Sequence, residues 1–352
     1  MRTGNLAEPV LKRSVYRQLN MEIYGIRGCY GADCVWVSPS ADREKSISSG
    51  RHPCESGAYA YTVSGPVPGS EYDPGIQVTE LANRLAAGGA VPASLMIQAL
   101  LPQSYGETEL REDMKRIAAA AREYGMEVAD VQAGVSSGVH LPQYFLTGIG
   151  YEEAACTDDT HQQRILCPGQ DLVLTKWIAL AGTSSLASVY EKELRSKYPF
   201  SLVDRAKEFG KLTAAGEEAR AITHFGACAV HHLSQGGIFN ALWEMADRAG
   251  VGLEVDLKKI PVKQETIEIC EYFDINPYYL YSAGALLVGT DRAEALLDCL
   301  ASMGIQASVI GRVTDRNDRV IRNGGECRFL DRPKQDEWYR RMENERTDFN
   351  IS

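Results

Sequence analysis

The chain has 352 residues, 44% apolar and 24% charged, which is enough for two domains, each with its own core. A formal net charge of −10, with no long Lys/Arg run, argues against nucleic acid or an anionic membrane as partner. No apolar run is long enough to span a bilayer, the first residues carry no signal-like core, and the nine cysteines are scattered without a CxxC pair, so we expect a cytoplasmic protein with reduced thiols.

In chain order, residues 9–19 have an amphipathic helical pattern, and 28–70, rich in Gly, Ser and Pro, read as strands and loops. Apolar spacing predicts a helix over 76–88, ended by Gly88-Gly89, then a buried strand over 93–101. Leu110, Met114, Ile117 and Ala121 share one face of a helix over 107–124, which Gly125 stops. Strands are expected at 127–133 and 144–149, and the polar stretch 156–170 reads as a domain connection. The second half alternates a strand at 171–177, a helix at 184–198, a helix at 214–224, a strand at 227–231 and a helix at 237–249. A helix at 265–273, a strand at 285–289, a helix at 292–303, a strand at 307–313 and a hairpin about Asn323-Gly324-Gly325 follow. The irregular alternation predicts an α+β protein rather than one doubly wound sheet. We expect domains at 1–160 and 161–335, with a tail at 336–352.

The run His231-His232-Leu233-Ser234-Gln235-Gly236-Gly237 opens the helix at 237–249. A Gly-Gly turn before a helix presents free backbone N–H groups and the positive end of the helix dipole, which suits a phosphate. The same glycines would also serve a tight turn alone. Adjacent histidines in a strand point to opposite faces, so His231 and His232 cannot easily share one ion. Gly25, Gly28 and Gly31 lack dinucleotide-binding spacing, and Cys29 with Cys34 make a poor zinc pair.

The segments Gly236-Gly237-Ile238-Phe239-Asn240, Ala249-Gly250-Val251-Gly252-Leu253-Glu254-Val255-Asp256, Asp274-Ile275-Asn276-Pro277 and Val309-Ile310-Gly311-Arg312-Val313 resemble AIR-synthase-related proteins, in particular the HypE-type hydrogenase maturation branch. Leu174-Thr175-Lys176-Trp177 continues the resemblance, which is strong from about residue 170 onward and looser before it. It implies a two-domain α+β fold whose N-terminal α/β domain forms a shared β-barrel in a homodimer. ATP and magnesium would lie between the domains, and a carboxamide-type oxygen would attack the γ-phosphoryl.

Residue by residue, the resemblance implies Asp33 as a magnesium ligand, and Asp33, Asn83, Ser234, Gly236 and Gly237 as cofactor-binding positions. No catalytic residue is assigned. Carboxylates of the family pattern are replaced by Ala32 beside Asp33, by Gly65, by Arg84 beside Asn83, and by His232 before Ser234-Gln235-Gly236-Gly237. A cation such as Arg84 opposes a divalent metal. Three readings follow: an ATP-using HypE-like enzyme, a non-catalytic paralogue that pairs with itself, an active homologue or a maturation protein, or a metal-free anion binder using Arg84.

Overall fold

The computed structural model describes residues 32–37, 59–152, 165–227 and 229–349. The expected helix at 9–19, the glycines at 25, 28 and 31, Cys29 and most of the 156–170 connection lie outside the described residues.

Five strands build the first sheet: β1 (Val35–Val37), β2 (Tyr59–Ser64), β3 (Ala90–Pro102), β4 (Glu127–Ser136) and β5 (Gln143–Glu152), in the order β1-β2-β5-β3-β4. Among the described residues of this sheet, β3 and β4 pair in parallel and the other neighbours antiparallel, the parallel pair joined by the helical crossover it needs. Helices α1 (Gly75–Ala87) and α2 (Glu107–Glu123) cover one face. Val78, Leu81 and Leu85 of α1 and Ile117 of α2 pack against Leu95, Ile97 and Leu146. Period-2 alternation sends the other side chains to the opposite face, where Tyr59, Val63, Met96, Val131, Phe145 and Tyr151 are exposed.

The second sheet has seven strands: β6 (Asp171–Thr175), β7 (Ala229–His232), β8 (Gly252–Asp256), β9 (Leu286–Thr290), β10 (Ala307–Thr314), β11 (Arg319–Asn323) and β12 (Glu326–Phe329). Their order is β12-β11-β8-β10-β6-β9-β7. Helices cover both faces. On one side lie α3 (Leu180–Val189), α4 (Glu191–Arg195), α5 (Phe200–Glu208), α7 (Gly237–Ala249) and α8 (Gln264–Tyr272), and on the other α6 (Gly216–Phe225) and α9 (Ala293–Ser302). Burial on both faces explains why β9 reads as a continuous apolar run.

One expectation is corrected, and two elements were not foreseen. The helix expected at 184–198 breaks at Tyr190, which leaves helical geometry (φ −102°, ψ 26°) as its ring packs 4.9 Å from that of Phe273. α5, unpredicted, begins after Pro199, a residue suited to helix starts, and buries Val203 and Ala206. The stretch beyond Leu330 includes a final helix, α10 (Glu337–Phe349), and Trp338 at its start is wholly buried in the core of the second sheet.

Candidate functional site

α1 is the seam between the two sheets. Ala86 and Ala87 near its C-terminus join the apolar cluster under α6 and α9, while polar residues on its flank face β7. Glu80 and Asn83 sit three residues apart on that flank, so they are neighbours on one helical face. Both are buried.

Asn83 is fully engaged across the seam. Its amide donates to the Thr213 carbonyl (2.7 Å) and to His232 Nε2 (3.2 Å), and its oxygen accepts from the Ala215 amide (2.8 Å). His232 Nε2 also accepts from the Gly284 amide at 3.1 Å, which places the ring proton on Nδ1. That nitrogen has no hydrogen-bond partner and lies 3.8 Å from a Glu80 oxygen. Burial holds the His232 pKa below its ordinary value, so the ring stays neutral. Glu80 accepts from Ser234 Oγ (2.5 Å) and the Tyr281 hydroxyl (2.9 Å).

His231 faces the other way, as strand geometry requires, toward Asp33 and Glu244. Its Nδ1 is 2.8 Å from Asp33 Oδ2, and the His232 amide donates to Asp33 Oδ1 at 3.3 Å. Burial alone would raise the Asp33 carboxyl, but the adjacent His231 ring, with Arg84 in support, holds it below the usual carboxylate range. Arg84 itself donates to the Val63 carbonyl (3.0 Å) and the Ala32 carbonyl (3.3 Å), tying the end of α1 to β2 and to the turn that carries Asp33.

Lys176 staples the loops around this cluster. Its ammonium reaches the carbonyls of Leu212 (3.1 Å), Ala214 (2.6 Å) and Gly284 (3.0 Å), and Glu218 Oε2 at 3.0 Å. Residues 213–215 bind Asn83 and Gly284 binds His232, so Lys176 sets the positions of both.

At the Gly236-Gly237 turn the Gly236 amide donates to Asp336 Oδ2 at 2.6 Å, and Asp336 Oδ1 accepts from the Trp338 amide at 2.9 Å. The free donor expected from the sequence is thus taken by a carboxylate of the C-terminal segment. Both glycines have positive φ (80° and 62°); a Cβ on Gly236 would lie 1.7 Å from the Asn240 amide nitrogen, and one on Gly237 2.6 Å from the Tyr278 carbonyl. The turn is therefore also demanded by packing.

Of the residues expected from the sequence, Asp33, Asn83 and Ser234 come together about β7 and α1, with Gly236 and Gly237 beside them at the start of α7. Glu80, His231, Glu244, Tyr281 and Asp336 were not foreseen as members. Glu80 carried a signal, as the carboxylate of its helix set three residues before Asn83; Asp336 carried none.

Magnesium wants about six oxygen ligands in near-octahedral array. Both Asp33 oxygens are bound by the chain, Glu80 is held by two hydroxyls, and Arg84 stands over the same turn. Among the described residues no three His, Cys, Asp or Glu side chains form a set able to hold a metal. The residues present do not fit the magnesium ion that the resemblance implied.

Two sheets of five and seven strands, joined at a polar seam along one helix, define a two-domain α+β protein of AIR-synthase-like architecture. Residues 168–323 match the family model for the AIR synthase related protein, C-terminal domain. A protein of Methanocaldococcus jannaschii assigned to hydrogenase expression/formation is 24% identical over 338 residues, 90% of each chain. The carbamoyl dehydratase HypE of Azotobacter vinelandii is 27% identical over 248 residues, 68% of this chain and 69% of its own. HypE in a HypE–HypF complex has a similar fold, with TM-score 0.67 at 19% identity over 91% of this chain and all of the other. HypE in complex with ATP gives 0.61 at 16%, over 96% and 98%. Residues 168–323 thus match the AIR-synthase-related C-terminal domain, and the chain as a whole is similar in sequence and fold to HypE-type proteins.

Proposed function

We propose that the protein acts in hydrogenase maturation as a HypE-like dehydratase in the cytoplasm, binding ATP and activating a carboxamide-type oxygen. In that reaction the oxygen attacks the γ-phosphorus and ADP leaves. The resulting phosphoimidate then loses phosphate and a proton to leave a nitrile, so that the elements of water depart as phosphate. The chain supplies a rigid, water-poor seam and a fixed cation, Arg84, whose guanidinium has more donors than its two carbonyl bonds use. The observation that carries the reading is the relationship along 90% of the chain to a hydrogenase expression/formation protein, together with a buried polar cluster where the motif resemblance puts the phosphate chemistry.

The exposed apolar face of the five-stranded sheet supports pairing with a second copy, the barrel-forming homodimer that the resemblance implies. A maturation protein is a further partner, by analogy with the HypE–HypF complex.

The test is phosphate release from ATP with a carboxamide-bearing peptide or protein substrate, assayed with sedimentation of the same sample. Substrate-dependent phosphate and nitrile from a dimer support the proposal. A stable dimer that binds ATP but never turns over, with or without a maturation partner, would replace it with a non-catalytic binding subunit.

A further inference from the structure

A cleft of about 680 Å³ opens between α1 and α2 on one side and α3 on the other. Asp33, Glu80, Arg84, His231 and His232 do not line it. Tyr281 and Thr213 form the wall toward them: the Tyr281 hydroxyl donates to Glu80 at 2.9 Å and the Thr213 carbonyl accepts from Asn83 at 2.7 Å. The polar lining is rich in acceptors and poor in donors. Ser184 Oγ donates to the Lys207 carbonyl (2.8 Å), Ser188 Oγ to the Ser184 carbonyl (2.8 Å) and Thr213 Oγ1 to the Gly210 carbonyl (2.7 Å). Each hydroxyl has thus committed its proton and keeps lone pairs to accept with. Ser185 lines the same wall, 8% exposed, and its hydroxyl has no hydrogen-bond partner among the described residues. Buried hydroxyls are ordinarily paired, so this one points to a ligand. A Cβ at Gly69 (φ 84°) would stand 2.5 Å from Ser185 Oγ, so a side chain there would cover it.

The charges are as one-sided. Asp73 and Glu123 line the cleft, and neither has an ion-pair partner among the described residues. Asp73 Oδ1 accepts from the Gly75 amide (3.0 Å), which leaves Oδ2 free. Arg116, the cation of this lining, donates to the Tyr72 carbonyl (2.8 Å) and stands 3.5 Å from Asp113 Oδ1, so its charge is already matched. A phosphate or carboxylate ligand would face two unmatched carboxylates. We propose that the cleft binds an aliphatic diamine or polyamine. Its ammonium groups meet Asp73 and Glu123, its N–H groups donate to the serine wall, and its methylenes lie along Ile76, Ala119 and Ala283. A polyol would donate to the same oxygens but gain nothing from the two charges.

The inference does not rest on the ATP reading, and its test involves no turnover. Putrescine and the uncharged diol of the same chain length are titrated into the full chain by calorimetry at low salt. The expected result is one saturable site with a Kd at least about tenfold lower for putrescine. Ala119→Leu fills the cleft from an exposed helix position, and Glu123→Gln removes a charge from another. Each should weaken putrescine about tenfold with the melting temperature unchanged. Putrescine that binds no better than the diol overturns the proposal. So does binding retained in full by either variant, which would be diffuse attraction to a chain of net charge −10. Phosphate or ATP bound tightly by the wild type and lost in Ala119→Leu would make this an anion site and overturn the ligand class. Glu123→Gln is a near-isosteric change at the surface, so a misfolded Ala119→Leu does not remove the test. Absence of ATP binding altogether bears on the proposed function alone.

Discussion

Asp336 gives the sharpest quantitative test of the structure. Its carboxylate is wholly buried and accepts backbone N–H groups of Gly236 and Trp338, with Tyr281 a third donor. Burial raises its pKa from 3.8 to about 7, and the three backbone donors only partly oppose the rise. The native state therefore holds this proton more tightly than the unfolded chain does. The associated stability is fully present below the unfolded value and is lost as pH rises through the folded one. Between pH 5.5 and 8.5 this group alone should remove about 2 kcal/mol. Asp336→Asn keeps one acceptor oxygen and the shape, but cannot ionise. The amide matches the protonated acid only below the unfolded value, since at pH 5.5 the unfolded wild-type carboxyl is already ionised. Between pH 5.5 and 8.5 the variant should therefore gain about 2 kcal/mol on the wild type, on top of the lead it already holds at pH 5.5. Urea denaturation at intervals across that range, followed by tryptophan fluorescence, reads the difference directly. A variant that loses ground as pH rises would mean that the three amides stabilise the carboxylate more than burial penalises it, and the argument would be wrong in sign.

Two further changes test the seam. Lys176→Met should cost about 3–5 kcal/mol in urea unfolding, because it strands the buried Glu218 carboxylate; Lys176→Met with Glu218→Leu should recover much of the loss, and a double variant no better than the single would refute a charge-pair origin. Gly236→Ala should destabilise by more than the ~1–2 kcal/mol of a left-handed alanine, since its Cβ would strike the Asn240 side chain; adding Asn240→Ala should relieve the excess over the strain, and a change that is additive in the double variant would show the clash to be absent.

Much of the fold was legible because the apolar periods are strong. Leu110, Met114, Ile117 and Ala121 mark α2 plainly, and Gly250 and Gly304 fall where α7 and α9 end. Where the sequence misled, packing overrode local pattern. Residues 184–198 carry one continuous helical signal, yet Tyr190 turns out to meet Phe273, a partner 83 positions away that no local window contains. α10 looked like a tail because most of its residues are polar, while a single tryptophan, Trp338, anchors it in the core.

The site was legible by halves for a similar reason. Motif positions brought Asp33, Asn83 and Ser234 into view, since each lies at a recognisable turn or helix face. What neutralises them was hidden. His231 is 198 residues from Asp33 in the chain, and Asp336 is 100 from Gly236. The alternation of a strand separated His231 from His232 correctly, but it could not say that a carboxylate awaited each of them. Loss of acidic residues at the motif positions reads in the sequence as a site dismantled. In the structure, groups from other parts of the chain meet what remains: the His231 ring beside Asp33, the Arg84 guanidinium on the Ala32 carbonyl and the Asp336 carboxylate on the Gly236 amide. A merely decaying site would leave buried groups unpaired, at a cost of ~1–3 kcal/mol each. Here the buried carboxylates of Asp33, Glu80 and Asp336 all have donors, whereas within this cluster His232 Nδ1 stands without one, so the cost falls on one ring nitrogen and not on the carboxylates.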